Sequence, residues 1–179
     1  MKRMFIILIV VVTILACNND ARYIRDIKML THQKIDFPEG YVELACNSQT
    51  TLDSLLNQDL KIVSYYGDVV CTPCCAKTLK RWQGEIKNMD ENISFIIVAH
   101  SVDNKKISVF TDSLCLDYPI MLYKTDVFEK TNNLGDVLAR NRTFLLNKDN
   151  EIILVGEPFD RKQLSELYKK CIDSMRIQN

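Results

Sequence analysis

Apolar residues run from Phe5 to Ala16, broken only by Thr13. After that, two periods alternate along the chain. Short β-branched or aromatic runs bounded by turn residues read as strands. These are the weakly alternating "YVELAC" (41–46), "KIVSYY" (Lys61 to Tyr66, closed by Gly67 and Asp68), "ISFIIVAH" (Ile93 to His100) and "PIMLY" (119–123). Two more lie in "TFLLNKDNEIILVG", joined by a turn at Lys148 to Asn150. Between them the spacing turns helical. "TTLDSLLN" is capped by Thr50 or Thr51, and Leu79, Trp82 and Ile86 mark a helix from Pro73 to Asn88. "NKKISVFTDSLCL" forms another helix, and "DVFEKTNNLG" is a helix followed by a loop. Leu164, Leu167, Tyr168 and Ile172 make "DRKQLSELYKKCIDSM" an amphipathic closing helix with a solvated charged face. Residues 18–35 are a linker or a short helix with Tyr23, Ile24, Ile27 and Leu30 on one side.

The order is strand, helix, strand, helix, then a hairpin and a last helix. It predicts a parallel pair joined by a crossover and an antiparallel hairpin covered by a helix. This is an α/β fold with a central mixed sheet flanked by helices. Side chains alternate along a strand, so of Tyr65 and Tyr66 one is buried and the other can edge a site. Trp82 reads as core.

The leading apolar run, preceded by Lys2 and Arg3, is too short for a comfortable membrane span and suits the core of a signal peptide. Its end, "ILAC", resembles a bacterial lipobox, which would make Cys17 a lipidated mature N-terminus and residues 1–16 a removed signal peptide. Residues 17–34 would then lead from the lipid to a domain at 35–179, in a bacterial envelope protein facing the periplasm. The 23 basic and 23 acidic residues balance, so no charge excess points to nucleic acid.

Seven cysteines less Cys17 leave Cys46, Cys71, Cys74, Cys75, Cys115 and Cys171. In an oxidising compartment some of them are expected to carry redox chemistry. "VVCTPCC" places Cys71 and Cys74 at the first turn of a helix that follows a buried strand. Unpaired N–H groups and the positive helix end favour a thiolate there, lowering a thiol pKa from about 8.5 into a range of roughly 3.5 to 7.5. Cys71 is thus the candidate nucleophile. Cys74, one turn on, is placed to attack the mixed disulfide formed at Cys71. Thr72 and Pro73 line the same turn. Cys75 points about 100° away around the helix, as a small buried hydrophobe or a third thiol of the site. Cys46, Cys115 and Cys171 read as buried free thiols, with a pair such as Cys46 and Cys115 left open.

The "KIVSYYGDVVCTPC" stretch, the strand ending at His100 and "RTFLLNKDNEIILVG" before the last helix resemble the thioredoxin-fold superfamily. The chain looks most like the membrane-anchored thiol-disulfide oxidoreductases and redoxin-like lipoproteins of bacterial envelopes. The resemblance implies a thioredoxin-like domain that exchanges disulfides with envelope proteins and draws electrons from a thiol donor. It implies no cofactor, since the thiols carry the electrons.

Several positions depart from the family pattern. Arg142 stands where the family usually has a cis-proline. It is similar to the cation near the nucleophile of peroxiredoxins, but their Pro-x-x-x-Thr-x-x-Cys motif is absent: Ser64 and Asp68 stand seven and three places before Cys71. Val70 replaces a common tryptophan, "YYGDVV" is about one residue longer than the usual loop, and "KIVSYY" holds no acidic residue to accept a proton. Two rival readings stand beside exchange. Cys71 and Cys75, with His100, match the copper-ligand pattern of Sco-type chaperones, and soft thiolates with one imidazole suit Cu(I). A redox-inactive binding module with a permanent Cys71–Cys74 disulfide is the other.

Overall fold

The computed structural model describes residues 21–44, 50–68, 79–82, 84–85, 93–103, 118–159 and 161–176. Helix α1 covers 21–30, followed by β1 (Val42–Leu44), α2 (Leu52–Leu56) and β2 (Leu60–Asp68). Residues 79–82 and 84–85 are helical and belong to α3. The chain continues through β3 (Ile93–His100), β4 (Ile120–Tyr123), α4 (Val127–Thr131), a 3-10 turn (Ala139–Asn141), the β5 (Thr143–Leu146) and β6 (Ile152–Val155) hairpin, and α5 (Lys162–Arg176). The expected helix at 104–116 and Cys17, Cys46, Cys71, Thr72, Pro73, Cys74, Cys75 and Cys115 lie outside the described residues.

Six strands form one sheet in the order β1-β4-β3-β2-β5-β6. β2, β3 and β4 run parallel, while β1, β5 and β6 pair antiparallel at the flanks. The sheet is the expected mixed one. Both of its faces are covered, which explains why β2 and β3 read as near-continuous apolar runs. Alternation sorts the side chains. Val63, Tyr65, Ile96, Val98, Phe144 and Leu146 pack with Leu30 of α1, Leu52 and Leu55 of α2 and Phe128 of α4. Leu60, Ile62, Phe95, Ile97 and Leu145 pack with Leu79 and Trp82 of α3 and Tyr168 and Ile172 of α5. Trp82 is core as expected, stacked on Phe95 at 4.5 Å and edge-on to Phe159 at 4.9 Å.

Three local features refine the sequence reading. Residues 21–30 are helical, but the inward side differs from the expected stripe. Ile24 is 52% exposed, while Asp26 and Leu30 are buried. Asp26 takes the inward position because the turn at 138–141 needs its oxygens: Oδ2 accepts from the Leu138 amide at 2.9 Å and from Asn141 Nδ2 at 3.0 Å. The strand end beyond α1 pairs too, with His32 N–H donating to Ile152 and Lys34 bridged to Glu151. Leu30 and the segment to Ile35 therefore pack and pair with the folded unit. Finally, β2 carries an irregularity between Tyr65 and Asp68. The register with β3 goes from Tyr65↔Val98 to Asp68↔His100, so two residues oppose one, and Gly67 sits at φ 67°. This bulge bends the strand end that leads to the cysteine motif.

Candidate functional site

The carboxyl end of the parallel strands brings together four side chains from four parts of the chain. Tyr65 comes from β2 and His100 from the end of β3, both on the face covered by α4, because positions 63 and 65 of β2 and 96, 98 and 100 of β3 share that side. Glu129 comes from α4, and Arg142 from the residue before β5. Arg142 is fixed at both ends: its carbonyl accepts from Tyr65 N–H at 2.9 Å, and its guanidinium donates to the Val137 and Gly135 carbonyls at 3.0 and 3.1 Å.

These side chains form one hydrogen-bonded chain. Tyr65 Oη donates to Glu129 Oε2 at 2.8 Å and lies 2.9 Å from His100 Nδ1. Arg142 Nη1 faces the same Glu129 oxygen at 3.3 Å and its guanidinium sits over the Tyr65 ring at 5.5 Å. The His100 ring stacks on Tyr65. Burial, and after it the Glu129 hydrogen bond and charge, push the Tyr65 phenol far above its ordinary value, so it stays a neutral donor. Nearby, the hydrogen bond from Lys130 holds the Asp126 carboxyl below its usual value, and the field of His100 adds to this.

Of the residues singled out from sequence, the structure brings His100 and Arg142 together through Tyr65 and Glu129. The tyrosine pair divides as the alternation requires, though the buried member, Tyr65, is the one whose hydroxyl reaches the cluster. Glu129 is the group that sequence reasoning misses. It meets Tyr65 from 64 residues away, and nothing in the spacing of "DVFEKT" links it to a strand tyrosine. Cys171 is a free, partly covered thiol on α5, pushed up by burial. Among the described residues no three His, Cys, Asp or Glu side chains gather as a metal site, and no helix is long and apolar enough to cross a membrane.

No protein-family model matches the chain, and no curated protein matches it by sequence. Its fold does match solved structures. A thiol-disulfide isomerase from Corynebacterium glutamicum is similar over 78% of this chain and 95% of that one, at TM-score 0.54 and 14% identity. A thioredoxin-like protein studied in its oxidised form matches at TM-score 0.53 and 11% identity, covering 83% of this chain and 99% of that one. A protein from Chlorobium tepidum assigned as the thiol:disulfide interchange protein DsbE matches at TM-score 0.50 and 11% identity, over 80% and 98%. The chain has a thioredoxin-like fold.

Proposed function

We propose that this protein is a thiol-disulfide oxidoreductase of the bacterial envelope, held to a membrane by a lipid on Cys17. Cys71 is the nucleophile and Cys74 the resolving thiol. Its clients are disulfide-containing envelope proteins, and a thiol protein supplies the electrons.

The observation that supports this reading is the position of the cysteine motif in the sequence, directly after a central strand of the sheet. Cys71 follows the last residue of β2, a central parallel strand, by three positions, and ligand chemistry in open parallel sheets gathers at the carboxyl ends of such strands. The three solved structures of similar fold carry thiol-disulfide or thioredoxin names, which supports the same reaction class.

The test is the reduction potential of the Cys71/Cys74 pair, by equilibration with glutathione or dithiothreitol buffers and thiol trapping. A reversible two-electron couple between roughly −120 and −270 mV is expected for an exchange catalyst. A couple below about −300 mV marks a structural disulfide and overturns the reading. In cells, Cys74→Ser should trap mixed disulfides with clients, visible on non-reducing gels, and Cys71→Ser should abolish them.

A further inference from the structure

The first turns of α1 and α5 enclose a cavity of about 420 Å³ beside the β6 edge of the sheet, within the roughly 300–1,000 Å³ of small-ligand sites. Its floor is the end of β6. Gly156 is fixed there on both sides: its N–H donates to the Thr143 carbonyl at 2.8 Å, and its carbonyl accepts from the buried Tyr168 hydroxyl at 2.8 Å. It sits at φ 114°, and a Cβ would stand 3.0 Å from Leu164 Cδ2, so the close approach of the strand end to α5 favours glycine.

The walls come from parts of the chain that are tied together. Asp26, one turn on from Tyr23 in α1, accepts from the Leu138 amide and the Asn141 side chain, on either side of Arg140. The Arg140 guanidinium stands over the Tyr23 ring, 5.0 Å from its centroid. Arg161 and Gln163 bring further N–H donors from the start of α5, and Leu164 and Leu167 add apolar surface, Leu167 being 43% exposed. Glu157 is the one carboxylate among the described lining residues.

We propose that this cavity is a docking site for a polypeptide segment that carries a carboxylate beside a large apolar side chain. The carboxylate goes to Arg140 and Arg161, and the apolar side chain to Leu164 and Leu167. That such segments belong to clients rests on the exchange reading above; the chemistry of the cavity does not.

Charge, apolar surface and place select this occupant. Each guanidinium has five N–H donors in a planar fork that matches a carboxylate, so it can take one in addition to the contacts it already makes. Two guanidiniums against Glu157 leave one positive charge in excess, which balances a monoanion better than a phosphate dianion. An aliphatic or aromatic side chain next to the carboxylate removes the exposed Leu167 surface from water. The floor also lies near the cluster at the carboxyl end of the parallel strands. Thr143 pairs with Ser64 of β2 on one side and holds Gly156 on the other, so Gly156 is two strand spacings, about 10 Å, from β2. Arg140 stands two residues before Arg142, whose carbonyl holds the Tyr65 N–H. About three extended residues span 10 Å. A polypeptide can therefore fill the cavity and lie across β5 toward β2, which a free acid cannot.

Fluorescence anisotropy on the full-length, detergent-solubilised protein tests this. The probe is a cysteine-free peptide, Gly-Phe-Glu-Leu-Gly, with fluorescein on its amino end and an amide at its carboxyl end. Saturable binding is expected, about tenfold weaker when the glutamate of the peptide is replaced by glutamine. Arg161→Gln should weaken it about tenfold as well, with circular dichroism as the check on its fold. Leu167→Ala should weaken it about threefold. Lys28→Gln, an exposed change on α1 outside the cavity, should leave it unaltered. The glutamine peptide with a free carboxyl end shows which carboxylate is taken: recovered affinity assigns a chain terminus, unrecovered affinity an acidic side chain. No saturable binding, an affinity indifferent to the glutamate, or an equal loss in Lys28→Gln overturns the proposal. So does displacement by inorganic phosphate at the peptide's own concentration. Thiol trapping of the same preparation after equilibration with dithiothreitol separates this inference from the exchange reading. A cysteine pair that exchanges while the peptide fails to bind overturns this inference alone. A pair that does not exchange while the peptide binds as described overturns the exchange reading and leaves the docking site standing.

Discussion

Asp26 and Glu129 are carboxylates from different helices, and both hold residues of the segment between α4 and β5. Asp26 reaches in from α1 and is met by donors that do not titrate near neutrality: the Leu138 amide, the Asn141 side chain and Arg25 at 2.9 Å. Glu129 is met by Tyr65 and by Arg142, which itself holds the Gly135 and Val137 carbonyls. The first cluster closes on itself. The second continues through the phenol to an imidazole at the end of a central strand. A buried carboxylate saturated by amides and a guanidinium is a staple; one whose donor is a hydroxyl shared with a histidine sets the state of that histidine.

Removing the staple should have the larger effect on stability. Asp26→Ala leaves the Leu138 amide and the Asn141 side chain without their acceptor inside the fold, and should lower the unfolding free energy by about 3 kcal/mol. Urea denaturation of the wild type and the variant measures it. The comparison predicts no change in the Cys71/Cys74 potential, and a shift there would mean that the two clusters are coupled through the shared segment. A loss under 1 kcal/mol would mean that water replaces the carboxylate at little cost.

The same cluster sets a pH dependence. Burial raises the Asp26 carboxyl, but the Leu138 amide and the Arg25 and Asn141 side chains outweigh it and hold it below its ordinary value. A carboxyl depressed in the folded state stabilises the fold above its unfolded pKa, and that contribution is lost as pH falls through the folded pKa. The stability gap between wild type and Asp26→Ala should therefore be full at pH 7 and shrink below about pH 4. Denaturation midpoints at pH 7, 5 and 3 check the sign; a gap that widens in acid breaks the account.

The second cluster should respond less in stability and more in chemistry. Arg142→Met removes an ion pair whose two side chains are mostly covered, along with two carbonyl contacts, and should cost about 2 kcal/mol. Without the guanidinium, Glu129 is unbalanced beside Tyr65 and His100. Because the Tyr65 phenol links Glu129 to His100, proton NMR at a fixed pH should show the His100 ring resonances displaced from those of the wild type. Unmoved resonances would show that Glu129 does not reach the ring through Tyr65.

Sequence and structure agree where short-range patterns decide. The apolar runs gave all the main strands because both faces of the sheet are covered, and Thr51 caps α2 as its spacing implies, accepting from Ser54 N–H. The inward turn of α1 was half legible. Leu30 follows from its apolar spacing, while Asp26 points inward for a partner more than 110 residues away. His100 and Arg142 could be marked from strand ends and family likeness. Their connection could not, because Glu129 and the Tyr65 hydroxyl meet only once the sheet is assembled, and no linear spacing encodes that meeting.

The smallest effect concerns Gly67, which joins the two regions of β2. Its left-handed conformation admits the bulge that sets Asp68 beside His100, and a Cβ built there would stand 3.4 Å from Arg142 Nη1. That distance is ordinary contact, so crowding adds little and the backbone decides. Gly67→Ala should cost about 1 kcal/mol, a fall in melting temperature of roughly 2–4 °C for a chain of this size. The Cys71/Cys74 potential should stay as in the wild type, because an alanine tolerates the left-handed region at that cost without giving up the bulge. A loss of 3 kcal/mol or more would mean that the strand straightens and Asp68 slips out of register with His100.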